Sequence, residues 1–315
     1  MTRLMMLGGA ARTPTEPETD PRPQLDDPIA MQMRPDGRRI GLLRVGPGRE
    51  FTTIHDATAA AYGIQAARMK GEGARTITPN YRVDILVDPG LYADDWITGQ
   101  CTGVNVMAAD GKRSSATLRY PAEFTGLPDD AARGWSAGNL CWWEGIDVQT
   151  LPSADPTVLG PKYPCHGELG MVAGFFATCI ISRCRLIPKG NEPGIGTNGG
   201  DGAMIVLHDV DVQGGTNQHG WPDDKMVEPM TAVYSKCISN IGLGYGALSD
   251  TRPDQVWIVD CTAPNLGSGG AAVRTHVARS TSTNPVGVSG TLDNRADWPV
   301  PVGGLSPAAR AQYGM

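Results

Sequence analysis

This 315-residue chain contains no apolar run near the roughly 18 residues that a membrane span requires, so no membrane span is expected. Lys and Arg are dispersed and the formal charge is −6, which argues against nucleic acid as a partner. The seven cysteines are odd in number and form no Cys-x-x-Cys pair. That spacing argues against a zinc site or a disulfide framework and for buried thiols. Histidines stand singly, without a His-x-x-x-His pair, and the Gly-rich stretch GIGTNGGDG lacks the Lys-Ser/Thr of a phosphate loop. No metal and no cofactor are therefore expected. The apolar run Leu4 to Leu7 is too short for the core of a signal peptide and is closed by Gly8 and Gly9, so a plain N-terminus is expected.

What is abundant is turn chemistry, with 41 Gly and 25 Pro against an ordinary 40% apolar and 19% charged content. Residues 1–39 are rich in Pro, Asp, Glu, Arg and Thr and lack periodicity, which predicts an extended N-terminal arm that cannot fold alone. From Ile40 a strand ending at Gly46-Pro47-Gly48 is predicted, then a helix near 53–69 capped by Thr52 or Thr53. Its apolar positions Ile54, Ala57, Ala60, Ala61, Ile64 and Ala67 recur at helical spacing. In YRVDILVDPGLY, Val83, Ile85 and Val87 share one strand face while Asp84 and Leu86 take the other. Beyond residue 100 only short strand candidates recur, among them LCWWEGIDVQT, TCIISRCRLIP and AMIVLHDVDVQ.

These strands repeat. Ile146, Cys184, Val210, Cys237 and Cys261 each sit at the centre of a similar short segment, at intervals of 38, 26, 27 and 24 residues. A period in that range without helices predicts an all-β parallel β-helix, a solenoid in which these five residues stack as a core ladder, with a propeller or a sandwich as the alternatives. The helix near 53–69 is predicted to cap its N-terminal end, since an open coil is an exposed sheet edge. The expected organisation is an arm over 1–39, a β-helix over 40–290 and a C-terminal extension over 291–315.

The stretch GREFTTIHDATAAA, followed by VDILVDPGLYADD, resembles the opening of the pectinesterase and pectate-lyase-like superfamily through Phe51, Thr53, Ile54, Ala57, Pro89, Gly90 and Tyr92. The resemblance implies a right-handed β-helix and says little about chemistry. Pectinesterases carry a Gln-Asp-Thr-type stretch, a Val-Asp-Phe-Ile-Phe-Gly stretch and an Arg near a Trp, and none of the three is present here. LHDVDVQGG and WPDDKM are the closest acidic stretches, so pectinesterase activity is not expected.

Asp201, His208, Asp209, Asp211, His219, Asp223, Asp224 and Lys225 form the densest polar cluster. As an enzyme site, Asp209, Asp211 and Asp224 would be its catalytic carboxylates. Alternation of Asp209 and Asp211 with Val210 and Val212 favours a solvated strand face instead. Trp142, Trp143 and Trp221, with His219, are candidates for carbohydrate binding or an interface. Adjacent Trp142 and Trp143 must face opposite sides of a strand, so one needs a cover outside the coil, such as a neighbouring chain.

A β-helix with an extended arm and no pectinesterase set resembles the pectin-lyase-like tail proteins of bacteriophages, which commonly associate in threes. The resemblance implies a virion location, a homotrimer, contact with other tail proteins through the arm, and a host cell-surface glycan as a candidate ligand. The alternative is a polysaccharide-degrading lyase, hydrolase or esterase, either on a phage spike or secreted.

Overall fold

The computed structural model describes residues 38–71, 81–97, 103–122, 135–136, 141–151, 165–169, 178–189, 193–199, 204–220, 230–246, 254–288 and 291–293. Among them the strands form three all-parallel sheets of ten, eight and seven strands, here called sheets A, B and C. Each coil visits them in order. Cys141–Glu144 lies in A, Ile146–Gln149 in B and Cys165–Leu169 in C, before Thr178–Ser182 returns to A. Register is held from coil to coil, so that Ile181 sits between Trp143 and Leu207. The chain is thus a right-handed parallel β-helix with a helix near its N-terminal end.

Several segments that read as single strands are two strands of different sheets joined at a corner of one or two residues. LCWWEGIDVQT breaks at Gly145, TCIISRCRLIP at Arg183 and AMIVLHDVDVQ at Asp209. The corner residues adopt left-handed backbone angles: φ is +72° at Gly145, +53° at Arg183 and Asp209, +55° at Lys236, +54° at Asp260 and +49° at Arg279. Asp209 is therefore a corner residue and not part of an alternating strand face. One left-handed residue redirects the backbone without a loop.

The corners also stay bonded from coil to coil. Gly145 N donates to Ser182 O (3.0 Å), Arg183 N to His208 O (3.0 Å), Asp209 N to Ser235 O (2.9 Å) and Lys236 N to Val259 O (2.9 Å). The residue after each corner enters the interior, where Ile146, Cys184, Val210, Cys237 and Cys261 are all buried in one core. Ser280, which follows Arg279, continues the series. Its Oγ lies within donating distance of Ile258 O (3.2 Å) and Ala278 O (3.0 Å), as the Cys261 thiol lies within donating distance of Tyr234 O (3.3 Å) and Val259 O (3.2 Å).

The helix spans Ile54–Gly71. Thr53 Oγ1 accepts from Asp56 N (3.1 Å), which identifies Thr53 as the cap. Asp95, from the next coil, accepts from Ile54 N (2.6 Å), His55 N (3.0 Å) and Trp96 N (2.8 Å). Burial raises the Asp95 carboxyl above its ordinary value, opposed by these N–H donors. Ile54, Ala57 and Ala61 are buried, with Thr58 and Gln65 beside them, and Gln65 Nε2 donates to Gly103 O (2.9 Å). Ala67 is exposed, so the buried stripe is narrower and more polar than the apolar spacing implies.

Two boundaries move. The first strand of sheet A, Arg38–Val45, begins inside the segment expected to be arm, and Thr291–Asp293 pairs with Arg274–His276, so it belongs to the solenoid. The outer face of sheet A forms a second buried cluster containing Met107, Trp142, Ile180, Val206, Val233 and Trp257. Trp143 lies inside the coil and donates to Ile146 O, while Trp142 faces the other way and donates to Ser182 Oγ (3.0 Å). Both indoles are at most 1% exposed, so neither offers a platform to a sugar ring.

Candidate functional site

The corner between sheets A and B gathers the carboxylates nearest to those expected to act in catalysis. Asp209 is ion-paired with Arg113. Asp147 is fully buried and accepts from Ser114 Oγ (2.7 Å), Arg185 N (2.7 Å) and Arg185 Nε (2.7 Å). Glu144 lies 3.2 Å from Arg183 Nη1, and Asp260 pairs with Arg279 at 2.7 Å. A carboxylate paired with a guanidinium has its acceptor oxygens engaged, which suits a structural bracket. Asp211 lies on sheet B, one strand-to-strand step from Arg185 and Ile238. Asp201, Trp221, Asp223, Asp224 and Lys225 fall outside the described residues.

A row of polar residues crosses the outer face of sheet A in register: Glu144, Ser182, His208 and Ser235. All four are buried, which denies a substrate access to them. His208 thus belongs to the covered face and does not join a cleft with His219.

The outer face of sheet C is different in kind. Leu243, Tyr245 and Leu266 are buried in the interior, so strand alternation places Gly244 and Gly246 outward. Register carries that face to Gly267, Gly269 and Gly287 in one direction. In the other the parallel register continues through Thr216–Gly220, Ile195–Gly199 and Cys165–Leu169. At the glycine end a shallow groove of ≈ 350 Å³ is lined by Gly215, Gly242, Gly244, Asn265, Gly267 and Gly287, among others. A Cβ on Gly267 would lie 1.9 Å from Gly287 O, so the floor is bare because the backbones approach too closely for a side chain.

Gly134-Trp135-Ser136-Ala137-Gly138 has the Gly-x-Ser-x-Gly spacing of a hydrolase nucleophile. That motif normally marks a strand-to-helix turn, whereas Trp135–Ser136 is a short strand of sheet C paired with Cys165 and His166.

The buried cysteines supply no nucleophile. Burial pushes the Cys184 and Cys237 thiols well above their ordinary value of 9.0, leaving them protonated at neutral pH. Among the described residues no group of three or more His, Cys, Asp and Glu is placed to hold a metal ion, and no helix is long and apolar enough to cross a membrane. No protein-family model matches the chain, and no curated protein matches it.

Proposed function

We propose that this chain is a structural β-helix protein of a bacteriophage tail that contributes to attachment at the host surface and has no pectinesterase activity. The observation that carries the reading is the pairing of the corner carboxylates Asp209, Asp147, Glu144 and Asp260 with Arg113, Arg185, Arg183 and Arg279. Asp147, Glu144 and Asp260 brace successive coils, and Asp209 ties its corner to Arg113 in the connection after Val104–Ala108. The opening motif at Phe51 to Ala57 and the Pro-rich, charged segment before Arg38 support the same reading by resemblance.

The scaffold is expected to assemble as a homotrimer, with residues 1–37 as its attachment to other tail proteins. Light scattering at micromolar concentration tests this. A trimer, converted to a folded monomer or to a particle that no longer joins the tail when residues 1–37 are deleted, supports it; a strictly monomeric intact chain overturns it. Alanine at Asp209 and Asp211 should leave any polysaccharide cleavage unchanged, and a loss there would favour the carboxylate-enzyme alternative.

A further inference from the structure

We infer that Cys141 and Cys179 form an oxidation site, a latch between two successive coils that closes to a disulfide when the protein meets a peroxide. The inference starts from register. Cys141 opens the strand Cys141–Glu144, and Cys179 is its direct partner on the neighbouring strand Thr178–Ser182 of sheet A. Both side chains turn into the coil, for they belong to the interior cluster, whereas the alternate residues Trp142 and Ile180 belong to the cluster on the outer face. Their Sγ atoms are 3.5 Å apart, and each residue is 1% exposed. Adjacent parallel strands stand about 4.8 Å apart, inside the range of about 4.4–6.8 Å between Cα atoms that a disulfide spans. Bond formation therefore asks the two sulfurs to approach and leaves the strands in place.

Two observations set this pair apart. Cys237 and Cys261 also stand on successive coils, but their sulfurs lie against main-chain carbonyls, Cys237 at 3.2 Å from Leu207 O and Cys261 at 3.2 Å from Val259 O. Cys141 Sγ instead points at Cys179 Sγ. The second observation is position. The two cysteines are 38 residues apart and bracket the longest interval of the core ladder, 38 residues against 26, 27 and 24. A longer connection costs more to close, and a covalent link across its base removes that cost from the unfolded chain. The link thus falls on the ladder interval where closure stabilises most.

The chemistry balances with a peroxide as oxidant. One thiol gives up its proton, and its sulfur attacks a peroxide oxygen and breaks the O–O bond. That sulfur becomes a sulfenic acid, and the hydroxide released takes the proton and leaves as water. The second sulfur then bonds to the sulfenic sulfur, the S–O bond breaks, and the hydroxyl departs as water with the second thiol's proton. Each sulfur loses one electron and the peroxide gains two. The event is stoichiometric and asks no catalysis of the thiols. Hydrogen peroxide, small and uncharged, can enter through local openings of the coil.

The inference goes beyond the scaffold reading and does not rest on it, because oligomeric state tests one and disulfide mapping the other. The reduced full-length protein is exposed to hydrogen peroxide in two arms, once folded and once during refolding from urea, then blocked with N-ethylmaleimide and mapped by peptide mass. Expected in at least one arm are a peptide pair joined through Cys141 and Cys179, loss of two hydrogens from the intact mass, and a rise of about 5 °C or more in Tm that reduction reverses. Cys141→Ala and Cys179→Ala should each lack the joined pair and the rise while far-UV circular dichroism shows the β-helix retained. The wild-type mapping decides the question even where an alanine variant fails to fold. Absence of the Cys141–Cys179 link from both arms, or a link that leaves Tm unchanged or lowers it, overturns the inference.

Discussion

At the scale of single residues the corners decide how the solenoid is specified. Gly145 has φ +72°, and a Cβ there would lie 2.5 Å from Lys112 O and 2.8 Å from the Ala108 Cβ. Gly145→Ala should therefore combine left-handed strain with overpacking and cost about 3 kcal/mol in urea unfolding. Lys236, at the equivalent corner, already carries a side chain at φ +55°. Lys236→Gly removes that strain against a gain in unfolded-chain entropy, and should change stability by less than about 1 kcal/mol. Equal losses in the two variants would show that the corners are not governed by local crowding.

The interior thiols set the pH response at the same scale. Burial raises Cys184 and Cys237 above 9.0 and Tyr234 above 10.0. In the unfolded chain these groups ionise near their ordinary values, so the folded state binds more protons above them. Their contribution is fully present below pH 9 and is lost progressively as pH rises beyond it. A chemical-denaturation midpoint that is flat from pH 7 to 9 and falls above pH 9 is expected. A midpoint rising across that upper range would contradict the burial of these groups.

At the scale of elements, the helix and its coil are tied by Asp95, which satisfies two of the first backbone donors of the helix from a neighbouring coil. Asp95→Ala leaves the buried Ile54 N–H without that acceptor and should cost about 2 kcal/mol. Hydrogen exchange should then show the helix opening before the sheets do; simultaneous loss of protection throughout would mean the helix is not a separate unit.

Strands were only partly legible in the sequence. The core ladder could be read because each corner is followed by a small apolar residue or a cysteine, a spacing that survives variation in loop length. The corners themselves could not, because Arg183, Asp209 and Lys236 stand where a glycine would have signalled a left-handed turn. Two strands therefore merged into one in the reading, and Asp209 was placed on a strand face. Alternation of Trp142 and Trp143 showed that one indole needs a cover outside the coil, but nothing local to them shows which one, or that the cover lies within the same chain.

At the scale of the whole molecule, three faces have three characters. Sheet A is covered on both sides, sheet B presents Leu91, Ile238 and charged corner residues, and sheet C offers the bare backbone of its glycine-lined groove. A trimer seated on sheet B would leave that groove open.

Because the corner hydrogen bonds pass from one coil to the next without interruption, every coil presents its neighbour with the same backbone edge. Duplication or excision of one coil, such as residues 210–236, recreates the junction it removes. The molecule can therefore change its reach in increments of about 4.8 Å per coil, so that length becomes a heritable quantity adjustable independently of the chemistry displayed along it.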